Sequence, residues 1–249
     1  MAGIVRTGAA PLATGGAHGV EERSHELVPD PPYYFPANRA TIHRAPKQPL
    51  VLPPPSRLEL TGPAIGSDTV KASDSDLTAQ GGAAPLGQRI IVHGRLTDSW
   101  GRPIVGRLVE VWQANAAGRY THNSDRWDAP LDPNFFGAGR CITDEQGGYR
   151  FLTIKPGPYP FRNHANAWRP AHIHFSVFGR SISQRFVTQM YFPDDGLHFQ
   201  DPIFNSIRDE RARLRLVAQY DHGSTLPEYA PAYRFDMVLG GPDETMWER

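Results

Sequence analysis

Trp168-Arg169-Pro170-Ala171-His172-Ile173-His174-Phe175-Ser176-Val177-Phe178 is the stretch that decides the fold class. Pro170 ends whatever precedes it, and the run into Phe175 and Val177 reads as a strand whose entry carries the two histidines. Working outward, runs rich in Val, Ile, Phe and Tyr recur at Arg89 to Leu96, Leu108 to Trp112, Tyr149 to Ile154, Arg185 to Phe192 and Tyr233 to Leu239. Turn-forming clusters separate them. With His172 to Phe178 this makes six strands in a chain holding 24 Gly and 24 Pro, a composition that favours turn-rich β architecture over helices. The pattern predicts an all-β protein with an antiparallel β-sandwich core, long loops, an extended N-terminal arm and one or two short helices.

Between the strands the turn chemistry is explicit. Asp98-Ser99-Trp100-Gly101-Arg102-Pro103 and Asp144-Glu145-Gln146-Gly147-Gly148 read as hairpin connections, Gly supplying positive φ and Asp bonding back to the backbone. Asp201-Pro202 is expected to open a helix, with Asp as N-cap, Pro at the first position and Ile203 and Ile207 on one face. The charged stretch Arg208 to Arg215 reads as its solvated continuation. Pro31 to Pro55 is punctuated by proline and predicts a segment running extended over a surface or a partner. Residues 1–60 are therefore read as an arm and contact segment, and residues 61–249 as one sandwich domain that starts with a loop at 61–88. No internal repeat is visible, and no glycine pattern precedes a helix to cradle a phosphate.

Charge narrows the partners. Lys plus Arg and Asp plus Glu number 26 each, so no electrostatic footprint for nucleic acid or an anionic membrane is present. Pro, Gly or charge interrupts every apolar run before the ~20 residues a bilayer span needs. The first twenty residues lack a continuous apolar secretion signal, with Arg6 their only basic residue. Cys141 stands alone, which forbids an intrachain disulfide or a thiolate cage and fits a reducing compartment, so the cytoplasm is expected.

His172 and His174 are two residues apart on a strand, which puts both imidazoles on one face and close enough to share a metal ion. Fe, Zn, Cu and Ni all accept imidazole, so the pair alone does not choose. With no Cys ligand and no His-Glu-x-x-His helix, further ligands must be oxygen donors. Tyr120 and Tyr159 are the candidates. Tyr120 ends a polar, Gly-containing turn after Trp112, and Tyr159 sits in Lys155-Pro156-Gly157-Pro158-Tyr159-Pro160, a loop stiffened by proline. A phenolate needs a strongly Lewis-acidic ion to displace its proton, and ferric ion is one. The residues by themselves leave two readings open: a metal centre, or two strand histidines and two tyrosines that pack their rings and bond their hydroxyls.

Leu108 to Tyr120, Ala129-Pro130-Leu131-Asp132-Pro133-Asn134-Phe135, Gly139-Arg140-Cys141, the Thr153 to Pro160 loop and Trp168 to Phe175 together resemble the intradiol ring-cleaving dioxygenases, in that family's order. The resemblance implies one non-haem Fe(III) held by Tyr120, Tyr159, His172 and His174 with a solvent-derived hydroxide, Tyr159 being the ligand that gives way to substrate. It further implies that Arg169 steadies charge beside the bound ring, that Gln189 supports it, and that Trp112 and Phe161 wall the pocket. The implied activity is opening of an aromatic 1,2-diol by O₂. Protocatechuate is the first expectation and a sulfonated or hydroxylated catechol the alternative, because Phe161 and Asn38 depart from the tryptophan and tyrosine of close relatives. A homologous α subunit is the implied partner in a larger hetero-oligomer. From a different class, a non-catalytic β-sandwich binding module is the competing reading.

Overall fold

The computed structural model describes residues 32–49, 51, 69–161, 166–179, 185–193 and 195–246. Eleven strands among them build the fold: β1 Arg89–Asp98, β2 Leu108–Trp112, β3 Ala138–Ile142, β4 Gly148–Ile154, β5 Tyr159–Pro160, β6 Trp168–Arg169, β7 His172–Phe178, β8 Arg185–Tyr191, β9 Gln219–Leu226, β10 Ala230–Arg234 and β11 Met237–Leu239. The α-helices among the described residues are α1, Ala40–Arg44, and α2, Glu210–Leu214. The expected all-β class holds, and each of the six predicted strands is present.

One sheet has antiparallel order β3-β2-β7-β8. The other is mixed: β4 lies antiparallel along one edge of β1, while β10 and then β11 lie parallel along the other, and β9 extends β10. The predicted single run Tyr233 to Leu239 is thus two strands, each reading a different half of the ten-residue β1. Ile90, Val92, Tyr149, Phe151, Phe235 and Met237 face Val109, Val111, Ile173, Phe175, Val177 and Met190 across the sandwich. Phe175 lies at its centre, with ring centroids 5.6 Å from Tyr149 and 5.3 Å from Phe235. Burying side chains of this size contributes ~1.5–3 kcal/mol each, which is why the two layers close. Ile173, Phe175 and Val177 take the core face of β7, so the alternation of the strand turns His172 and His174 to the opposite face.

Three local expectations need correction. Residues 144–148 form a turn, with Gly147 N donating to Asp144 O at 3.0 Å, but it passes from β3 to β4, which belong to different sheets, so it is a crossing and not a hairpin. No α-helix begins at Asp201: its carboxylate accepts from Ile203 N at 2.8 Å and the chain makes a single 3-10 turn, Phe204–Ser206. The charged stretch instead starts a helix of its own, α2, capped by Asp209, whose carboxylate accepts from Arg211 N and Ala212 N. Within the proline-punctuated segment the described part is not wholly extended, because α1 forms after Asn38 and the Thr41 hydroxyl donates to Asn38 O at 2.7 Å. No helix among the described residues is long and apolar enough to cross a membrane.

Candidate metal centre

Strand register assembles the site. His174 lies opposite Trp112 on one side and Gln189 on the other, and His172 lies opposite Tyr191. The small β5-β6 ribbon places Tyr159 opposite Arg169. Six of the sequence-predicted residues, Trp112, Tyr159, Arg169, His172, His174 and Gln189, are thereby fixed by backbone pairing alone. Tyr120 joins them from the loop after β2: its ring centroid is 5.5 Å from that of Tyr159 and 6.5 Å from that of His174. His172 and His174 rings are 4.9 Å apart, and Trp112 stacks on His174 at 4.8 Å with an interplanar angle of 4°.

The loop carrying Tyr120 is held by side chains that sequence reading passed over. The buried Asn115 carboxamide oxygen accepts from Ala117 N and Arg119 N, both at 2.9 Å, and Asp125 Oδ2 accepts from Tyr120 N at 2.9 Å. This loop is stitched to the loop of Tyr159, where Gly157 N donates to Asn115 O at 2.9 Å. Gly118 has φ +78°, and a Cβ there would stand 2.1 Å from Pro158 O. Gly118→Ala therefore adds a steric clash to backbone strain, and the clash pushes the two tyrosine-bearing loops apart. Gly101, with φ +75° and no atom within 4 Å of its would-be Cβ, isolates the strain. Gly101→Ala is expected to lower stability by ~1–3 kcal/mol without touching metal affinity. Gly118→Ala is expected to lower stability further and to weaken metal uptake, read by thermal melts and metal titration; equal behaviour of the two variants would show that the loop contact does not matter.

Electrostatics leave both imidazoles neutral. Burial, and then the Arg169 charge, push the His172 pKa well below its ordinary value and that of His174 down to about 3. His172 Nδ1 lies 2.7 Å from Pro170 O, so that nitrogen carries the proton and donates, and the lone pair resides on Nε2, 3.2 Å from Tyr159 Oη. This is the arrangement a metal-ligating histidine adopts. Nδ1 of His174 is buried without a hydrogen-bond partner among the described residues. No group of three or more His, Cys, Asp or Glu side chains gathers among those residues, so an ion held here must draw on the phenolic oxygens. Two phenols and two neutral imidazoles fit a hard, strongly acidic ion and suit the three-ligand open zinc sites poorly.

Beside this cluster lies a cavity of about 490 Å³ lined by Arg169, His174, Gln189, Phe161, Asn38 and Arg44, among others. Arg169 and Gln189 are buried, and one guanidinium nitrogen of Arg169 donates to Gln189 Oε1. Its Cζ lies 5.8 Å from the Phe161 ring centroid. Trp112, also expected in the pocket, instead backs His174 from the far side of the ring stack and is absent from the cavity wall. Asn38 and Arg44 of the N-terminal segment, Tyr191 and Asp201 enter the site without any local motif: only packing brings them there.

Comparison with known proteins agrees with this architecture. Residues 60–241 match the sequence model of the family described as Dioxygenase. The chain is 52% identical over 222 residues to the protocatechuate 3,4-dioxygenase beta chain of Burkholderia cepacia, spanning 88% of this chain and 94% of that one. It is 31% identical over 164 residues to the protocatechuate 3,4-dioxygenase alpha chain of Pseudomonas putida, spanning 65% of this chain and 76% of that one. Among solved structures, catechol 1,2-dioxygenase from Pseudomonas arvilla C-1 superposes with a TM-score of 0.50 at 22% identity over 69% of this chain and 59% of that one, a likeness of fold alone. With a family match along most of its length and a half-identical relative covering nearly all of it, the chain belongs to the intradiol ring-cleaving dioxygenases.

Proposed function

We propose that Tyr120, Tyr159, His172 and His174 hold one non-haem ferric ion, and that the chain uses it to open protocatechuate with O₂, giving 3-carboxy-cis,cis-muconate. The observation that carries this reading is the convergence of two phenols and two neutral imidazoles beside a cavity that Arg169 also lines. When bound, a ferric ion held by these four residues would supply the Lewis acidity that activates an aromatic 1,2-diol toward O₂. The chain supplies the rest. Tyr159 Oη accepts a proton from the diol, Arg169 offsets negative charge that develops on the opening ring, and Gln189 fixes Arg169 by accepting its hydrogen bond. Phe161 walls the cavity and the Trp112 stack holds the plane of His174.

The choice of protocatechuate is supported by the identity to the Burkholderia cepacia beta chain. Similarity to alpha chains as well supports assembly with a homologous α-type subunit in a hetero-oligomer. Residues 1–60 then serve as the arm that contacts it and residues 61–249 as the catalytic domain. A reducing compartment, the cytoplasm, is the proposed location, on the ground of the single Cys141. A second substrate reading, a sulfonated or hydroxylated catechol, is favoured by Phe161 and Asn38 on the cavity wall, where an aromatic ring and a buried carboxamide meet the substituent.

The protein purified with its iron is expected to be red-brown from phenolate-to-iron charge transfer, to change colour on anaerobic addition of protocatechuate, and to take up O₂ fastest with protocatechuate among a panel that includes 4-sulfocatechol and hydroxyquinol. Stoichiometric iron without colour would remove the tyrosines from the ligand set. Faster uptake with another member of the panel would reassign the substrate, and absence of iron would favour a binding module.

A further inference from the structure

Asp201 lies on the loop after β8, yet its carboxylate is fully buried and touches the buried guanidinium of Arg169. Asp201 Oδ2 accepts from Arg169 Nε at 3.0 Å and lies 3.1 Å from the Tyr191 hydroxyl, while Oδ1 accepts from Ile203 N at 2.8 Å. The other end of the guanidinium is tied as well. Its Nη2 donates to Gln189 Oε1 and to the Tyr191 hydroxyl, the latter at 3.1 Å. A guanidinium has five N–H donors in a fixed plane. Three are consumed by Asp201, Gln189 and Tyr191, so the two on Nη1 remain, and Arg169 lines the cavity.

From this we infer that Asp201 is a positioning residue for ring cleavage: its carboxylate pins the Nε edge of Arg169 so that Nη1 is the face presented to the substrate. The inference rests on the ring-cleavage reading above. Burial makes the role demanding, because a charge pair with side chains 3% and 0% exposed survives only when each partner keeps its hydrogen bonds. Burial works against the Arg169 charge, and Asp201 is the leading group that restores it. Tyr191 acts as the hinge pin of the arrangement: its hydroxyl accepts from Arg169 and lies 3.1 Å from both Gln189 Oε1 and Asp201 Oδ2. An asparagine in place of Asp201 has the same shape and one acceptor oxygen. It can serve either Ile203 N or Arg169 Nε, and its amide N–H groups then face a donor at the other position. The guanidinium must tilt.

The test is a double-mutant cycle on the iron-loaded holoprotein, using Asp201→Asn, Arg169→Met and the pair together, with iron content, thermal midpoint, kcat and KM for protocatechuate measured on each. Asp201→Asn is expected to keep its iron and lose on the order of 10²-fold in kcat, the scale of an ångström-sized misplacement, with KM changed by less than about threefold. In the Arg169→Met background the same substitution is expected to cost no further turnover, since there is no guanidinium left to misplace. The thermal midpoint falls in Asp201→Asn, which strands a buried cation, and recovers in the double variant. Undiminished kcat in Asp201→Asn, or an equal additional loss in the Arg169→Met background, overturns the positioning role. A wild-type holoprotein that turned over no catechol would instead overturn the ring-cleavage reading on which the inference stands.

Discussion

His172→Ala and His174→Ala are each expected to abolish iron retention together with turnover. Each imidazole is one of only four proposed protein ligands, and neither has a neighbour that could take its place, since no further His, Cys, Asp or Glu gathers at the centre among the described residues. Both are already poised. Burial and the Arg169 charge keep them neutral, so binding an ion displaces no proton from them, and the Pro170 carbonyl fixes the tautomer of His172. Alanine at 172 removes the imidazole nitrogen that lies 3.2 Å from Tyr159 Oη. Alanine at 174 removes the ring on which Trp112 stacks. Iron per chain is expected to fall to below about a tenth of the wild-type value after ordinary purification, because a site held by three ligands exchanges its ion readily. Circular dichroism should remain that of the wild type, as both side chains lie on the face of β7 away from the sandwich core. Full iron and normal turnover in either variant would remove that histidine from the ligand set.

Arg169→Ala, by contrast, is expected to retain iron and colour and to lose turnover by ~10²-fold or more, the scale found when one preorganised donor to a developing charge is deleted. The guanidinium is not a metal ligand; it lines the cavity beside His174 and lies opposite Tyr159 across the β5-β6 ribbon. Its removal also strands the buried Asp201 carboxylate, so stability should fall by ~3–5 kcal/mol. Assays must therefore be run well below the thermal midpoint. Iron analysis and O₂ uptake on the same preparation separate the two effects: parallel losses of iron and rate would make Arg169 a structural residue. Surface pairs such as Arg102 with Asp98, 2.7 Å apart but with the arginine largely exposed, should contribute far less by the same measure, because solvent screens them.

Much of the sandwich can be read along the chain, because a strand announces itself locally. Ile90 to Val92, Val109 to Val111, Phe151 and Phe175 each sit in short β-branched or aromatic runs, and those runs are strands in the structure. The strands that escaped notice have reasons. Ala138–Ile142 and Gln219–Leu226 are edge strands, largely unburied and poor in large apolar side chains, while Tyr159–Pro160 and Trp168–Arg169 are two residues long and too short for any period. At Asp201 the expected capping bond forms, Oδ1 accepting from Ile203 N, yet only the 3-10 turn Phe204–Ser206 follows, while the other carboxylate oxygen accepts from Arg169.

By itself the sequence determined the fold class, the pairing of His172 with His174 on one face of a strand, and the short list of tyrosines. The recurrence of short apolar runs carries the first and residue spacing within one strand the second, while the tyrosines rest on their loop settings and on the resemblance to the intradiol dioxygenases. Only the tertiary structure decided how the rings of Tyr120, Tyr159 and both histidines lie against one another, that the N-terminal segment brings Arg44 to the cavity beside Asn38, and that Asp201 holds Arg169 from 32 residues away. Those contacts arise from strand register, loop stitching and the burial of charge. Each joins residues distant along the chain, so no local run of side chains records it.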